Sequence, residues 1–250
     1  MINIENIHPA GWEPAIRGMR NPMNSWEKSD SFFFTNPDHE LLNLRGQCPD
    51  DVSFANIYEA CYCNDGAYIG PNDLSLMKKL TKAGPDHRKF MRMIVVYMDI
   101  TAPLYWWKEF ETYKVGTVSN SCSTMHKIAE KEFTKDDFSC EHLIGGMLGG
   151  TEEELYRLPM RRLLDTIGTL NEYRRLYLET HDKNWWWQLI QLLPSSYNQR
   201  RTVMLNYEVL HNIYTARKDH KLDEWRTFCQ VIKDELPYSE LITGETDDND

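Results

Sequence analysis

The stretch Leu193-Pro-Ser-Ser-Tyr197-Asn-Gln-Arg200-Arg-Thr-Val-Met-Leu-Asn206-Tyr-Glu-Val-Leu210-His-Asn212-Ile-Tyr-Thr-Ala-Arg217 decides how this chain is read. Leu193-Pro194 interrupts one helix, and the spacing predicts another over about Thr202–Lys218. In that helix Asn206, Leu210, Ile213 and Arg217 fall at i, i+4, i+7 and i+11. Eleven steps of about 100° nearly restore the azimuth, so Asn206 and Arg217 share a face roughly 16 Å apart. That is the scale of an extended nucleotide or part of a flavin. A carboxamide pairs with a ring edge, and a guanidinium clamps phosphate or pyrimidine oxygens. Spacing alone equally describes a helix whose polar residues meet solvent.

On the N-terminal side, Leu163, Ile167, Leu170 and Tyr177 form one apolar stripe, and a further helix carries Trp185-Trp186-Trp187. On the C-terminal side a helix is expected over Leu222–Asp234, before an acidic tail from Gly244 to Asp250. Further upstream, Met91 to Thr101 is β-branched and apolar and reads as a buried strand. Ala102-Pro103 breaks it, and Leu104 to Glu111 reads as a helix holding Tyr105, Trp106 and Trp107. Helices are expected at Val52–Asn64 and after a cap at Asn72 or Asp73. Residues 1–50 hold five of the eleven prolines together with Trp12, Trp26 and Phe32–Phe34, which predicts irregular, aromatic-rich structure packed over another surface. The paired glycines 145–146 and 149–150 mark a loop, and no Lys-Ser or Lys-Thr follows them to make a P-loop. The whole reads as one helix-rich α+β domain over residues 51–243 with a small antiparallel sheet.

Charge narrows the function. Asp and Glu number 38 against 28 Lys and Arg, a net charge of −10, which argues against a chain that wraps nucleic acid. The longest clean apolar run, Met93–Met98, falls far short of the roughly 20 residues a spanning helix needs. Met1–Pro9 has no basic cluster followed by an apolar stretch, so the expectation is a soluble, cytoplasmic protein without a membrane partner. The six cysteines include no C-x-x-C pair and read as reduced thiols. Cys61/Cys63 with Cys140/His142 is the one zinc set the sequence offers, and its spacing is too tight for structural zinc, so no metal is expected.

The 193–217 stretch resembles the C-terminal motif of the flavin-dependent thymidylate synthases, L-P-x(4)-T-R-x(3)-T-x-N-x-R-S-L-x-[NH]-F-L-x-L-R. Leu193, Pro194, Arg200, Asn206, Leu210, Asn212 and Arg217 match without a gap. Gln199 and Met204 replace the two Thr, and Glu208 replaces an Arg that contacts flavin. Upstream, the helix from Asp73 to Leu80, the Gly84 turn, the strand and Ala102-Pro103 follow the family's order. Aligned from Ala102-Pro103, the signature R-H-R-x7-S lands on Thr112, Tyr113 and Lys114. Its serine lands on Cys122, or on Ser123 with one residue inserted. The resemblance spans about Leu74 to Trp225, and the Trp-rich helix and Ser-Cys-Ser run are similar to phage and prophage sequences.

The resemblance implies an α+β homotetramer with active sites between subunits. FAD relays hydride from NADPH, and the methylene of methylenetetrahydrofolate passes to dUMP. It implies that His87, Lys114, Asn206 and Asn212 contact the cofactor and that Arg200 and Arg217 hold a pyrimidine nucleotide. Tyr113, Cys122 and Ser123 become the catalytic candidates, with His126 one helical turn beyond Cys122 if that segment is helical. Several positions depart from the pattern. The second nucleotide-binding Arg is Ile190, the Gly-His turn is Gly84-Pro85, and a Glu-His pair falls on Arg92 and Met93. Arg88, Arg92 or Arg201 would have to supply the missing charge from a new direction. The rival expectation is a non-catalytic descendant that keeps the oligomeric scaffold as a binding or interaction module.

Overall fold

The structure, a computed structural model, describes residues 2–34, 66–145 and 158–244. The expected helix at Val52–Asn64, the glycines beyond 145, the acidic tail and the thiols of Cys61 and Cys63 lie outside the described residues. Among those described, the strands are β1 (Asn3–Ala10), β2 (Phe32–Phe33), β3 (Ala67–Tyr68), β4 (Val95–Pro103), β5 (Val118–Ser121) and β6 (Asn198–Asn206). One sheet has the order β1-β4-β6-β5, and β2 pairs antiparallel with β3, Phe32 opposite Tyr68. The expectation of a helix-rich α+β fold with a small antiparallel sheet is met. No described helix is long and apolar enough to cross a membrane.

The chain divides into two compact units, and it passes from one to the other within β4, after Asp99, and within β6, after Thr202. The larger unit comprises Ile4–Asp99, Tyr113–Ser119 and Val203–Asp250. Its core packs Trp12, Met77, Met91, Ile94, Leu205, Tyr207, Trp225 and Phe228, all fully buried or nearly so. Each such side chain removed from water contributes about 1.5–3 kcal/mol. Trp12 meets Tyr207 and Tyr238 edge to face, each at 5.3 Å, and the Tyr207 hydroxyl donates to the Pro237 carbonyl at 2.6 Å.

Two expectations are corrected in this unit. Residues 3–20 are regular: β1 is followed by the helix Trp12–Arg20, whose inner face buries Trp12, Ala15, Ile16 and Met19. The strand survives a left-handed Asn6 (φ 55°), whose carboxamide donates to Asp99 at 2.8 Å. Asp73 is not the cap of its helix, which runs from Pro71 to Lys82. The Asp30 carboxylate does that work, accepting from the backbone N–H groups of Asn72 (2.8 Å) and Asp73 (3.0 Å). Asp73 instead is buried and accepts from Arg20 Nε, Ser29 and Ser31, each at 2.6 Å. Burial alone would raise its carboxyl, but these donors hold it below the usual range.

The smaller unit comprises Met1–Asn3, Ile100–Thr112 and Asn120–Thr202. Its core joins Ile128, Phe133 and Phe138 to Leu163, Ile167, Leu170 and Leu189, with Tyr177 and Ile190 packed against it. The apolar stripe therefore faces inward on the helix Pro159–Thr180 as its spacing predicts. A left-handed His181 ends that helix, and the Asp182 carboxylate caps the next, Lys183–Leu192, at Asn184 N (2.9 Å). The helix Leu104–Phe110 follows β4 directly and buries Trp106, Trp107 and Phe110. Its first amides donate to Tyr197 and Ser195 carbonyls, both at 3.0 Å, so the entry into β6 is tied down.

Candidate functional site

The expected helix from Thr202 is overturned. Residues 198–206 form β6, because Thr202–Leu205 alternate outward and inward as a strand does, with Val203 and Leu205 buried. The helix is Tyr207–Arg217, and Asn206 is its N-cap: Oδ1 accepts from Val209 N at 3.0 Å. Asn206 thus turns inward and does not share an outward helical face with Arg217. Its carboxamide also fixes the adjoining turn. Gly116 has φ +83°, and a Cβ there would lie 2.8 Å from Asn206 Nδ2, so only glycine fits.

At the far end of this helix Arg217 is half-buried. Its Nε donates to the Tyr113 hydroxyl at 3.0 Å, and Nη1 lies 2.9 Å from His220 Nε2. The guanidinium stands over the rings of Trp225 (4.9 Å) and Tyr113 (5.8 Å). The structure therefore brings Tyr113 and Arg217 together, and adds His220 and Trp225, which sequence reasoning missed. Lys114, beside Tyr113, is exposed, as are His87 and Asn212.

Arg88 is engaged as well. It forks onto Glu208 through Nε (2.9 Å) and Nη2 (3.1 Å), while Nη1 lies 2.9 Å from His211 Nε2. His211 Nδ1 faces the Ile242 carbonyl at 2.7 Å, which requires the proton on Nδ1 and leaves Nε2 to accept from Arg88. Burial, with the Arg88 charge beside it, pulls the imidazole below its usual range. A guanidinium has thus arrived beside position 208, but a carboxylate neutralises it there.

The smaller unit contains a cavity of about 260 Å³ that gathers Cys122, Ser123 and Arg200 with Thr124, Lys127, Lys131, Asp137, Tyr197 and Gln199. Cys122 N donates to Arg200 O at 3.0 Å, which holds the two against each other along the backbone. Ser123 caps the short helix Thr124–Lys127 by accepting from His126 N at 3.2 Å, so the segment after Cys122 is helical. The Cys122 thiol is exposed, whereas burial pushes the Cys229 thiol up to about 12 and leaves it inert. Lys131 pairs with Asp137, whose carboxyl burial would raise but Lys131 and the Thr134 amide bring down. Burial raises the Tyr197 phenol, and the Asp137 carboxylate adds to it, so it stays protonated and able to donate. The lining sets two lysines and an arginine beside two aspartates, hydroxyls and one thiol, a polar wall that offers both donors and acceptors to a small ligand. Lys127, Lys131, Asp137 and Tyr197 carried no sequence signal, since they lie on separate elements.

No protein-family model matches this sequence, and no curated protein matches it. Solved structures do. A flavin-dependent thymidylate synthase from Helicobacter pylori, complexed with FAD and dUMP, superposes with a TM-score of 0.59 at 16% identity, covering 98% of both chains. The fold is that of the flavin-dependent thymidylate synthases. A UMP/dUMP methylase from Streptomyces cacaoi, bound with 5-Br UMP, also superposes on this chain. It matches with a TM-score of 0.56 at 13% identity, over 98% of this chain and 95% of that one.

The residues present fit a flavin dinucleotide in part. Lys114, His87 and Asn212 offer exposed donors of the kind a pyrophosphate or ring edge takes. Asn206 fits less well, because its oxygen is already committed to the cap.

Proposed function

We propose that this chain binds FAD and a pyrimidine nucleotide and methylates dUMP or a related nucleotide. The observation that carries the reading is the near-complete overlap, end to end on both chains, with one protein holding FAD and dUMP and another described as a UMP/dUMP methylase. Arg217, held by Tyr113, and Arg200, on the cavity wall, are each assigned to nucleotide binding on the strength of the motif they match. Cys122 and Ser123 are the catalytic candidates on that cavity wall. Lys114, His87 and Asn212 take the cofactor, with Asn206 acting through the turn at Gly116. FAD supplies hydride transfer when bound. NADPH and methylenetetrahydrofolate are the co-substrates, and the chain works as a homotetramer in the cytoplasm. Titrating FAD and then dUMP while following thermal unfolding tests this, because a ligand that binds the folded chain raises Tm. Stepwise increases are expected; no shift with either would refute the reading.

One observation favours a second reading. The guanidinium of Arg88 is neutralised by Glu208 and that of Arg217 is stacked on Trp225, as suits a scaffold kept for binding alone. Mass analysis of dUMP incubated with FAD, NADPH and methylenetetrahydrofolate separates the two. A gain of one methyl group supports the enzyme, and unchanged dUMP in the presence of bound flavin supports the binding module.

A further inference from the structure

Gln199 occupies the centre of a hydrogen-bonded chain within the smaller unit. Both of its amide hydrogens are committed, Nε2 donating to the Cys122 carbonyl and to Thr124 Oγ1, each at 3.0 Å. Its Oε1 accepts from Arg201 Nε at 3.0 Å, and its backbone carbonyl accepts from Trp107 Nε1 at 2.9 Å. Arg201 is itself anchored, donating from Nη1 to Glu111 at 3.1 Å with its guanidinium 4.3 Å from the Trp107 ring. The amide orientation is forced. Arg201 can only donate and the Cys122 carbonyl can only accept, so the oxygen must face the first and the nitrogen the second.

Glu111, Arg201 and Gln199 therefore form a brace whose free end grips Cys122 and Thr124, two residues of the cavity wall. We infer that Gln199 is a positioning residue: it sets the Cys122–Thr124 turn and, through it, the seat of the pyrimidine nucleotide. The second half of that statement rests on the proposed function, and the first does not.

The test uses full-length Gln199→Glu and Gln199→Ala. The glutamate keeps an acceptor for Arg201 but presents a carboxylate to the Cys122 carbonyl, so it releases the turn while the anchored end stays folded. Hydrogen exchange, which needs no ligand, should be about 3- to 10-fold faster at residues 122–124 in Gln199→Glu, the size of the one neutral hydrogen bond lost to the Cys122 carbonyl, and faster still in Gln199→Ala, which loses the bond to Thr124 as well. Exchange in the helix Pro159–Thr180 and the Tm of Gln199→Glu should stay as in the parent. In a second arm, dUMP is added while iodoacetamide alkylates Cys122, with Cys122→Ser as the blank. Gln199→Glu should need about 3- to 10-fold more dUMP than the parent for equal protection. Unchanged exchange at 122–124 would overturn the positioning role. Faster exchange with equal dUMP protection would overturn its link to the ligand. Faster exchange with no protection even in the parent would uphold the brace and refute a pyrimidine nucleotide in this cavity.

Discussion

Arg200 and Arg217 stand near the two ends of one continuous stretch, yet their surroundings differ in kind. Arg217 is enclosed by its own neighbours: a phenol, an imidazole and an indole face meet it within the larger unit. Arg88, in the same unit, is matched atom for atom by Glu208. Around Arg200 the groups instead line a cavity, with a thiol, hydroxyls, lysines and aspartates from separate elements. The contrast separates two uses of a charge. A guanidinium matched by a carboxylate, as Arg88 is by Glu208, holds the fold, whereas Arg200, on a cavity wall, is proposed to meet a ligand.

The sharpest way to break that comparison is Glu208→Gln. The Arg88–Glu208 side chains are only 13% and 10% exposed, so stripping the carboxylate leaves a buried charge uncompensated. A loss of about 3 kcal/mol is expected in denaturant unfolding. A loss under about 1 kcal/mol would place this pair with the surface ones. Next, Arg217→Ala should weaken dUMP binding about 10- to 100-fold by calorimetry while the far-ultraviolet circular dichroism stays unchanged. Equal affinity would remove Arg217 from the nucleotide site. Tyr113→Phe takes away one acceptor from Arg217 and should cost about 1 kcal/mol of stability.

Acid should separate the two regions as well. His211 has its imidazole held below the ordinary range, so the unfolded chain takes up a proton before the folded one does. Its contribution to stability is present above the unfolded value of 6.5 and is lost as pH falls through the folded value. Tm should therefore drop as pH falls below about 6.5, and His211→Asn should flatten that drop. An unchanged slope in the variant would show that His211 is not the group responsible. The smallest effect is expected at the cavity. Lys131 is 70% exposed, so Lys131→Ala should cost less than about 1 kcal/mol. A larger loss would mean that the cavity wall also carries the fold.

Much of the helical framework was legible because its signals are local. Leu163, Ile167 and Leu170 announce their buried stripe, Ala102-Pro103 marks the strand-to-helix junction, and Leu193-Pro194 ends a helix. Asn206 was misread because Thr202–Leu205 satisfy both a helical and a strand period, and pairing within the sheet decides between them. Asp73 misled for a related reason. A carboxylate in a first turn suits a cap, and its actual partner, Arg20, lies 53 residues away. The strand Asn3–Ala10 has proline and a left-handed asparagine against it, and only its place beside β4 makes it regular. In the candidate site, Tyr113 and Arg217 were named separately and prove to be bonded. Tyr197, Lys131 and Asp137 could not be found, because no spacing along the chain links them.

The absorption spectrum of the protein as purified reads flavin binding with no added reagent. A yellow preparation whose flavin bands shift when dUMP is added is the expected result. A colourless protein whose spectrum stays blank after incubation with FAD would contradict it.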